Sequence, residues 1–247
     1  MIEFKNLKKS FGEREVLKGL TFEVKRGEIL FILGTSGTGK SVLLKNIVGL
    51  LRPTSGEIWL DGQEVSSLSE EDYFPIRKKC GMVFQHPALF DSLTVFENIA
   101  FGVRKHEPHL KEPEVRERVR KCLELVHLHR IEQKKPQDIS YGMQKRVSLA
   151  RTVAVSPEVL LFDEPTTGLD PVTTQAINHL IQELSHTLHT TSLVVSHDMQ
   201  CALSIADRII MLDQGHIVAH GTPDEMKRSK HPLVVDFLKE ALDAQDS

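Results

Sequence analysis

Gly34-Thr35-Ser36-Gly37-Thr38-Gly39-Lys40-Ser41 has the spacing G-x-x-x-x-G-K-[ST] of a phosphate-cradling loop. Its glycines let backbone N–H groups converge on an anion without obstruction by Cβ atoms. The helix expected to follow, with Val42, Leu43, Leu44, Ile47 and Val48 as apolar residues, points its positive N-terminal end at the same anion. In this pattern Lys40 reaches the β- and γ-phosphates of a nucleoside triphosphate, and the Ser41 hydroxyl ligates Mg²⁺. ATP and Mg²⁺ are therefore the expected cofactors. Leu160-Leu161-Phe162-Asp163-Glu164 supplies what the loop lacks. Asp163, at a strand end, suits the Mg²⁺ hydration shell. Glu164, one step further out, is placed to orient and polarise an attacking water.

These groups need a scaffold. Ile29-Leu30-Phe31-Ile32-Leu33 is a continuous apolar run, read as a strand buried on both faces. Similar runs recur at Met82-Val83-Phe84, Val159–Phe162, Leu193-Val194-Val195 and Ile209–Leu212, mostly separated by helical patterns. A largely parallel sheet with helices on its faces follows. The first four runs hand over to Gly34, Gln85, Asp163-Glu164 and Ser196-His197, and α/β sheets bind ligands beyond the carboxyl ends of their strands. Before them, Leu20, Phe22 and Val24 alternate with Thr21, Glu23 and Lys25 as a half-buried strand. Ser69-Glu70-Glu71-Asp72 has capping-box spacing, and a helix is expected to start there. Val115, Val119, Cys122 and Val126 share one helical face, leaving Arg116, Arg118, Arg120 and Lys121 as a solvated basic face. After Gly221-Thr222-Pro223 one or two short helices and a frayed polar terminus are expected.

Composition narrows the partners. The 247 residues carry a net charge of -3, which argues against a nucleic-acid coat, and 40% are hydrophobic, enough for a sizeable core. No apolar run approaches the ~18–20 residues that span a bilayer, and charge interrupts Met1-Ile2-Glu3-Phe4-Lys5-Asn6 too early for a secretory segment. A cytoplasmic chain, docked on a membrane-bound partner, is expected. Cys80, Cys122 and Cys201 form no CxxC pair and read as reduced thiols. His127-Leu128-His129 and His186/His189 lack partnering ligands at zinc spacing.

Ile139-Ser140-Tyr141-Gly142-Met143-Gln144-Lys145-Arg146, shortly before Asp163-Glu164-Pro165, resembles the LSGGQ signature of ABC-type ATPases. Thr167-Gly168-Leu169-Asp170 is similar to that family's D-loop, Gln85 to its Q-loop glutamine, His197 to its switch histidine, and Phe11 to the aromatic stacked on adenine. The resemblance covers the whole chain, in order. It implies an α/β P-loop NTPase fold (a RecA-like core with a mainly parallel sheet), an N-terminal antiparallel β subdomain and an inserted α-helical subdomain. The implied division is a core of residues 1–88 and 154–224, a helical signature subdomain over 89–153, and a helical tail over 225–247. Gln85 would contact Mg²⁺ or the attacking water, and His197 the γ-phosphate. Asp170 joins the nucleotide-binding set, while Ser140 and Gly142 would cap the γ-phosphate of ATP on an opposite subunit. Ser140 is also a good N-cap, so its hydroxyl and the free N–H groups of a helix running from Tyr141 to about Val155 form an anion site.

Tyr141 departs from the family, which has glycine there; ordinary helical dihedrals in the first turn are expected for it, with hydrolysis retained. One signature per chain implies that two copies sandwich two ATPs. Gln85–Val95, apolar and just past the Q-loop, is where the family receives the coupling helices of membrane permease subunits. Gly37–Leu51, Pro87–Leu93, Asp163–Pro171 and His231–Leu238 resemble the Mla/Mce-type ATPases, which drive phospholipid or sterol transport at bacterial and plastid envelopes. That likeness implies a peripheral place on the inner face of the membrane and a substrate-binding Mce-type partner. An amino-acid importer ATPase is the alternative. A non-transport ABC ATPase lacks its usual coiled-coil insertion or second cassette here, and a P-loop kinase leaves Ser140–Arg146 and His197 unexplained.

Overall fold

The computed structural model describes residues 1–243; the expected frayed terminus, 244–247, lies outside the described residues. The chain opens with strands β1 (Ile2–Phe11) and β2 (Arg14–Val24), then β3 (Ile29–Leu33) and helix α1 (Lys40–Ile47). Strands β4 (Ser55–Leu60) and β5 (Gln63–Glu64), helix α2 (Tyr73–Lys79) and strand β6 (Cys80–Val83) follow. Helices α3 (Val95–His106), α4 (Glu112–Leu125) and α5 (Tyr141–Val153) lead to β7 (Val159–Asp163), α6 (Pro171–Thr187), β8 (Thr191–Ser196) and α7 (Met199–Ile205). Strands β9 (Arg208–Asp213) and β10 (His216–Gly221) and helices α8 (Pro223–Lys227) and α9 (Pro232–Asp243) complete the described chain.

Two sheets form. One is antiparallel, in the order β2-β1-β4-β5; the other runs β10-β9-β3-β8-β7-β6 and is parallel except for its edge strand β10. Every residue of β3, β7 and β8 is buried, which is why β3 is apolar throughout, β7 as far as Phe162, and β8 over Leu193–Val195 between buried hydroxyl residues. The period of two still divides them between two cores. Ile29, Phe31 and Leu33 pack with Leu160, Phe162 and Val194 against helices α3 to α7. Leu30 and Ile32, with Leu161, Leu193 and Val195, face α1 and the antiparallel sheet.

The register places the chemistry. Leu33 pairs with Ser196, Asp163 with Val195, and Val83 with Phe162. The carboxyl ends of β3, β8, β7 and β6 thus lie side by side, and the residues that follow them emerge at one edge of the sheet.

The expectation for Ser69–Asp72 is corrected. Helix α2 starts at Tyr73, and Asp72 makes no capping hydrogen bond. Pro75 explains the late start: lacking an N–H, it is accommodated only in the first turn. Ser69 instead caps the turn that leads into α2, its Oγ accepting from the Asp72 N–H at 3.2 Å and donating to Asp72 Oδ2 at 2.6 Å, while its carbonyl accepts from the Tyr73 N–H at 3.1 Å. Two smaller differences are that α5 ends at Val153 and that Phe84 lies beyond β6.

Candidate nucleotide site

Between β3 and α1 the loop bends through φ 82° at Gly37 and 102° at Gly39, backbone that favours glycine. A Cβ on Gly39 would lie 2.6 Å from Leu17 Cδ2, whereas one on Gly37 would meet nothing within 4 Å. Gly39→Ala is therefore expected to destabilise the fold by about 1–3 kcal/mol. Gly37→Ala, with backbone strain alone, should cost less. Chemical denaturation of the two variants checks the order.

Lys40 is buried at 6% exposure. Its Nζ donates to the carbonyls of Gly34 at 2.7 Å and Thr35 at 3.0 Å and lies 3.6 Å from Glu164 Oε1. Burial lowers its pKa, outweighing the attraction of Glu164 and Asp163. Burial thus costs the ammonium more than the two carboxylates return, and an arriving polyphosphate would offset that cost. Thr38 Oγ1 donates to Thr35 O at 2.9 Å, closing the loop on itself. Ser41 Oγ donates to Asp163 Oδ1 at 2.6 Å, so hydroxyl and carboxylate already converge on one point.

Glu164 holds φ 50°, sparsely populated for a residue with a Cβ, just after β7, and its N–H donates to Val195 O at 3.0 Å. This kink accompanies a carboxylate that Nδ1 of His197 reaches at 2.7 Å and Thr167 Oγ1 at 3.3 Å. Burial would raise the Glu164 pKa, but the His197 bond, the His197 and Lys40 charges and Thr167 together hold it below the usual carboxylate range. The bond to Glu164 correspondingly raises His197 against the opposing effect of burial.

The pair's contribution to stability has a definite sign. A raised His197 stabilises the fold fully below the ordinary 6.5 of imidazole and loses that contribution as pH climbs through its folded value. A depressed Glu164 contributes above the ordinary 4.5 and loses its share as pH falls through its own folded value. The Tm difference between the wild type and His197→Ala should peak between pH 4.5 and 6.5 and shrink toward pH 8, measured by calorimetry across that range. Because the His197 side chain is 61% exposed, the peak amounts to a few degrees at most.

A cavity of about 770 Å³ joins these groups. Of the expected site residues, Phe11, Thr35, Ser36, Gly37, Gly39, Lys40, Ser41, Gln85, Glu164 and His197 line it. Gly34, Thr38 and Asp163 stand directly behind the lining through the bonds just described. Ser140, Gly142 and Asp170 are not part of its wall. Ser140 caps α5, accepting from the Met143 N–H at 3.3 Å, and Asp170 caps α6, accepting from the Thr173 N–H at 2.9 Å. Tyr141 is the first residue of α5 and has no positive φ, as expected of it.

Arg14, Val16, Phe237 and Glu240 also line the cavity without a sequence motif that marks them, as does Thr167, which the D-loop resemblance covers without assigning it to the nucleotide. Lys145, within the signature segment but given no role by it, is buried on α5, and its Nζ donates to the carbonyl of Gln85. Burial lowers its pKa to about 8 against the pull of Glu164. Only its place four residues beyond Tyr141 hinted that it lies on the same side of the helix.

Residues 17–167 match the ABC transporter family. The intermembrane phospholipid transport system ATP-binding protein MlaF of Haemophilus influenzae is 42% identical over 97% of this chain and 90% of its own length. The methionine import ATP-binding protein MetN of Carboxydothermus hydrogenoformans is 40% identical over 96% of this chain and 71% of its own. A solved dimeric ATP-binding cassette in a post-hydrolysis state, bound to ADP and Pi, superposes with a TM-score of 0.82 at 34% identity, over 90% of this chain and 99% of that one.

Proposed function

The chain belongs to the ABC transporter family as an ATPase subunit, and we propose that the cargo it energises is phospholipid or a related lipid moved across a bacterial envelope. The observation that carries this reading is the likeness to MlaF, which extends over 90% of that protein's length. An amino-acid importer has less support, since the likeness to MetN spans 71% of its length.

In the reaction we assign, the Gly34–Ser41 loop and Lys40 bind the phosphates while Phe11 stacks on the adenine. Glu164 accepts a proton from the attacking water, and His197 steadies the γ-phosphate. Mg²⁺ suits the donors present: Ser41 and Asp163 offer hard oxygens 2.6 Å apart, and Gln85 lines the same cavity. No cluster of three or more His, Cys, Asp or Glu among the described residues competes as an all-protein cage. When bound, the ion neutralises charge building on the phosphates.

Ser140, Gly142 and Asp170 lie off this cavity's wall, which supports a role at the nucleotide of a second copy, as does the dimeric form of the related cassette. No described helix is long and apolar enough to cross a membrane. Permease subunits are the partners that the likeness to a phospholipid transport system supports. Phe90 and Phe101, both about half exposed with ring centroids 5.3 Å apart, offer those subunits an apolar seat beside the Gln85–Val95 segment. An Mce-type substrate-binding protein completes the proposed assembly on the inner face of the membrane.

Purification of the tagged chain from detergent-solubilised membranes tests this. A co-purifying hydrophobic permease whose ATPase is stimulated by phospholipid in nanodiscs supports the proposal. Stimulation by an amino acid instead, or recovery with nucleic acid or ribosomes, would overturn it.

A further inference from the structure

Four bonds tie α5 to the segment Gln85–Ala88. Lys145 Nζ donates to Gln85 O, and Arg151 donates to Pro87 O at 3.2 Å and Ala88 O at 2.7 Å. The fourth comes from the residue that departs from the family pattern: the Tyr141 hydroxyl lies 3.3 Å from His86 Nδ1. Two further groups stand close to the same ring. Lys145 Nζ stands 5.5 Å from its centroid, and Tyr141 Cε1 lies 3.7 Å from where a Cβ on Gly168 would be. A glycine at 141 would make none of these contacts.

We propose that Tyr141 is a positioning residue that braces the anion-binding start of α5 against the Gln85–Ala88 segment and the Gly168 turn. The reasoning is geometric. Ser140 caps α5 one residue before the tyrosine, Gln85 lines the nucleotide cavity one residue before His86, and Gly168 lies two residues before Asp170. One side chain of α5 therefore bonds the Gln85–Ala88 segment and lies beside the Gly168 turn, and each of the three carries a residue assigned to a nucleotide. With the brace in place, a shift of Gln85 is passed to the cap at Ser140 without slack. The cap's role at a second copy's nucleotide rests on the proposed function above; the brace within one chain does not.

The test combines a double-mutant cycle with amide hydrogen exchange. Tyr141→Phe removes only the hydroxyl and is expected to lower kcat about 2- to 10-fold, the range of one hydrogen bond, with KM for ATP within about twofold. His86→Ala should give a similar loss, and the double variant no more than either alone. Exchange at the His86 and Ala88 amides should speed up in Tyr141→Phe while Tm stays unchanged. Unaltered exchange, or additive losses in the double variant, would overturn the brace. A loss of kcat accompanied by a lowered Tm, unaltered exchange at His86 and Ala88 and additive losses marks ordinary packing and also overturns it. If the wild type neither pairs nor turns over ATP, the proposed function fails instead, and exchange in the single chain still decides the brace.

Discussion

Glu164→Gln should bind ATP with near-native affinity and hydrolyse it about 10²- to 10⁴-fold more slowly, the usual worth of a general base. The substitution conserves shape. An amide oxygen can still accept from Thr167 Oγ1, and the backbone at φ 50° demands no more of Gln than of Glu. What disappears is basicity. In the wild type the carboxylate is held ionised by His197 at 2.7 Å and Lys40 at 3.6 Å, so it is ready to take a proton at neutral pH. Its side chain is only 14% exposed, and bulk water replaces it poorly. Titration with a fluorescent ATP analogue and single-turnover phosphate release separate the two effects. A turnover within about threefold of wild type would place the base elsewhere. A tenfold loss of affinity would mean that Glu164 holds the loop through Lys40 rather than acting on water.

Much of this arrangement was legible in sequence because parallel strands buried on both faces leave an unmistakable apolar run. The register then left little freedom. Once β3, β8, β7 and β6 are neighbours, Gly34, His197, Glu164 and Gln85 must emerge at one edge. What stayed hidden depends on side chains that cross between elements. The Tyr141–His86 and Lys145–Gln85 contacts join segments more than fifty residues apart, and no periodicity encodes them. Phe237 and Glu240 reach the cavity only because α9 folds back on α7, a tertiary event without a local signal. The Ser69 misreading has a different origin. Capping-box spacing takes no account of Pro75, whose missing N–H restricts where the helix can begin. The αL backbone of Glu164 was likewise unreadable, since nothing in Asp-Glu-Pro announces a positive φ at a residue with a Cβ.

Lys40→Ala is expected to do the reverse of Glu164→Gln, weakening ATP binding by on the order of 10²-fold while leaving the fold intact. A charged hydrogen bond to phosphate is worth about 1.5–3 kcal/mol, roughly 10- to 150-fold in Kd, and the lost ammonium has no neighbour to replace it within the loop. Stability should hardly change, because two effects oppose each other. The bonds to Gly34 O and Thr35 O are lost, but so is a cation that burial disfavours enough to lower its pKa despite Glu164 and Asp163. Isothermal titration with ATP and a parallel Tm measurement check both statements. Native affinity would show that backbone N–H groups and the α1 dipole hold the phosphates unaided. A Tm fall of more than several degrees would show instead that Lys40 pins the loop from within. With Glu164→Gln the comparison isolates two carriers of function only 3.6 Å apart, one for capture of the anion and one for attack on it.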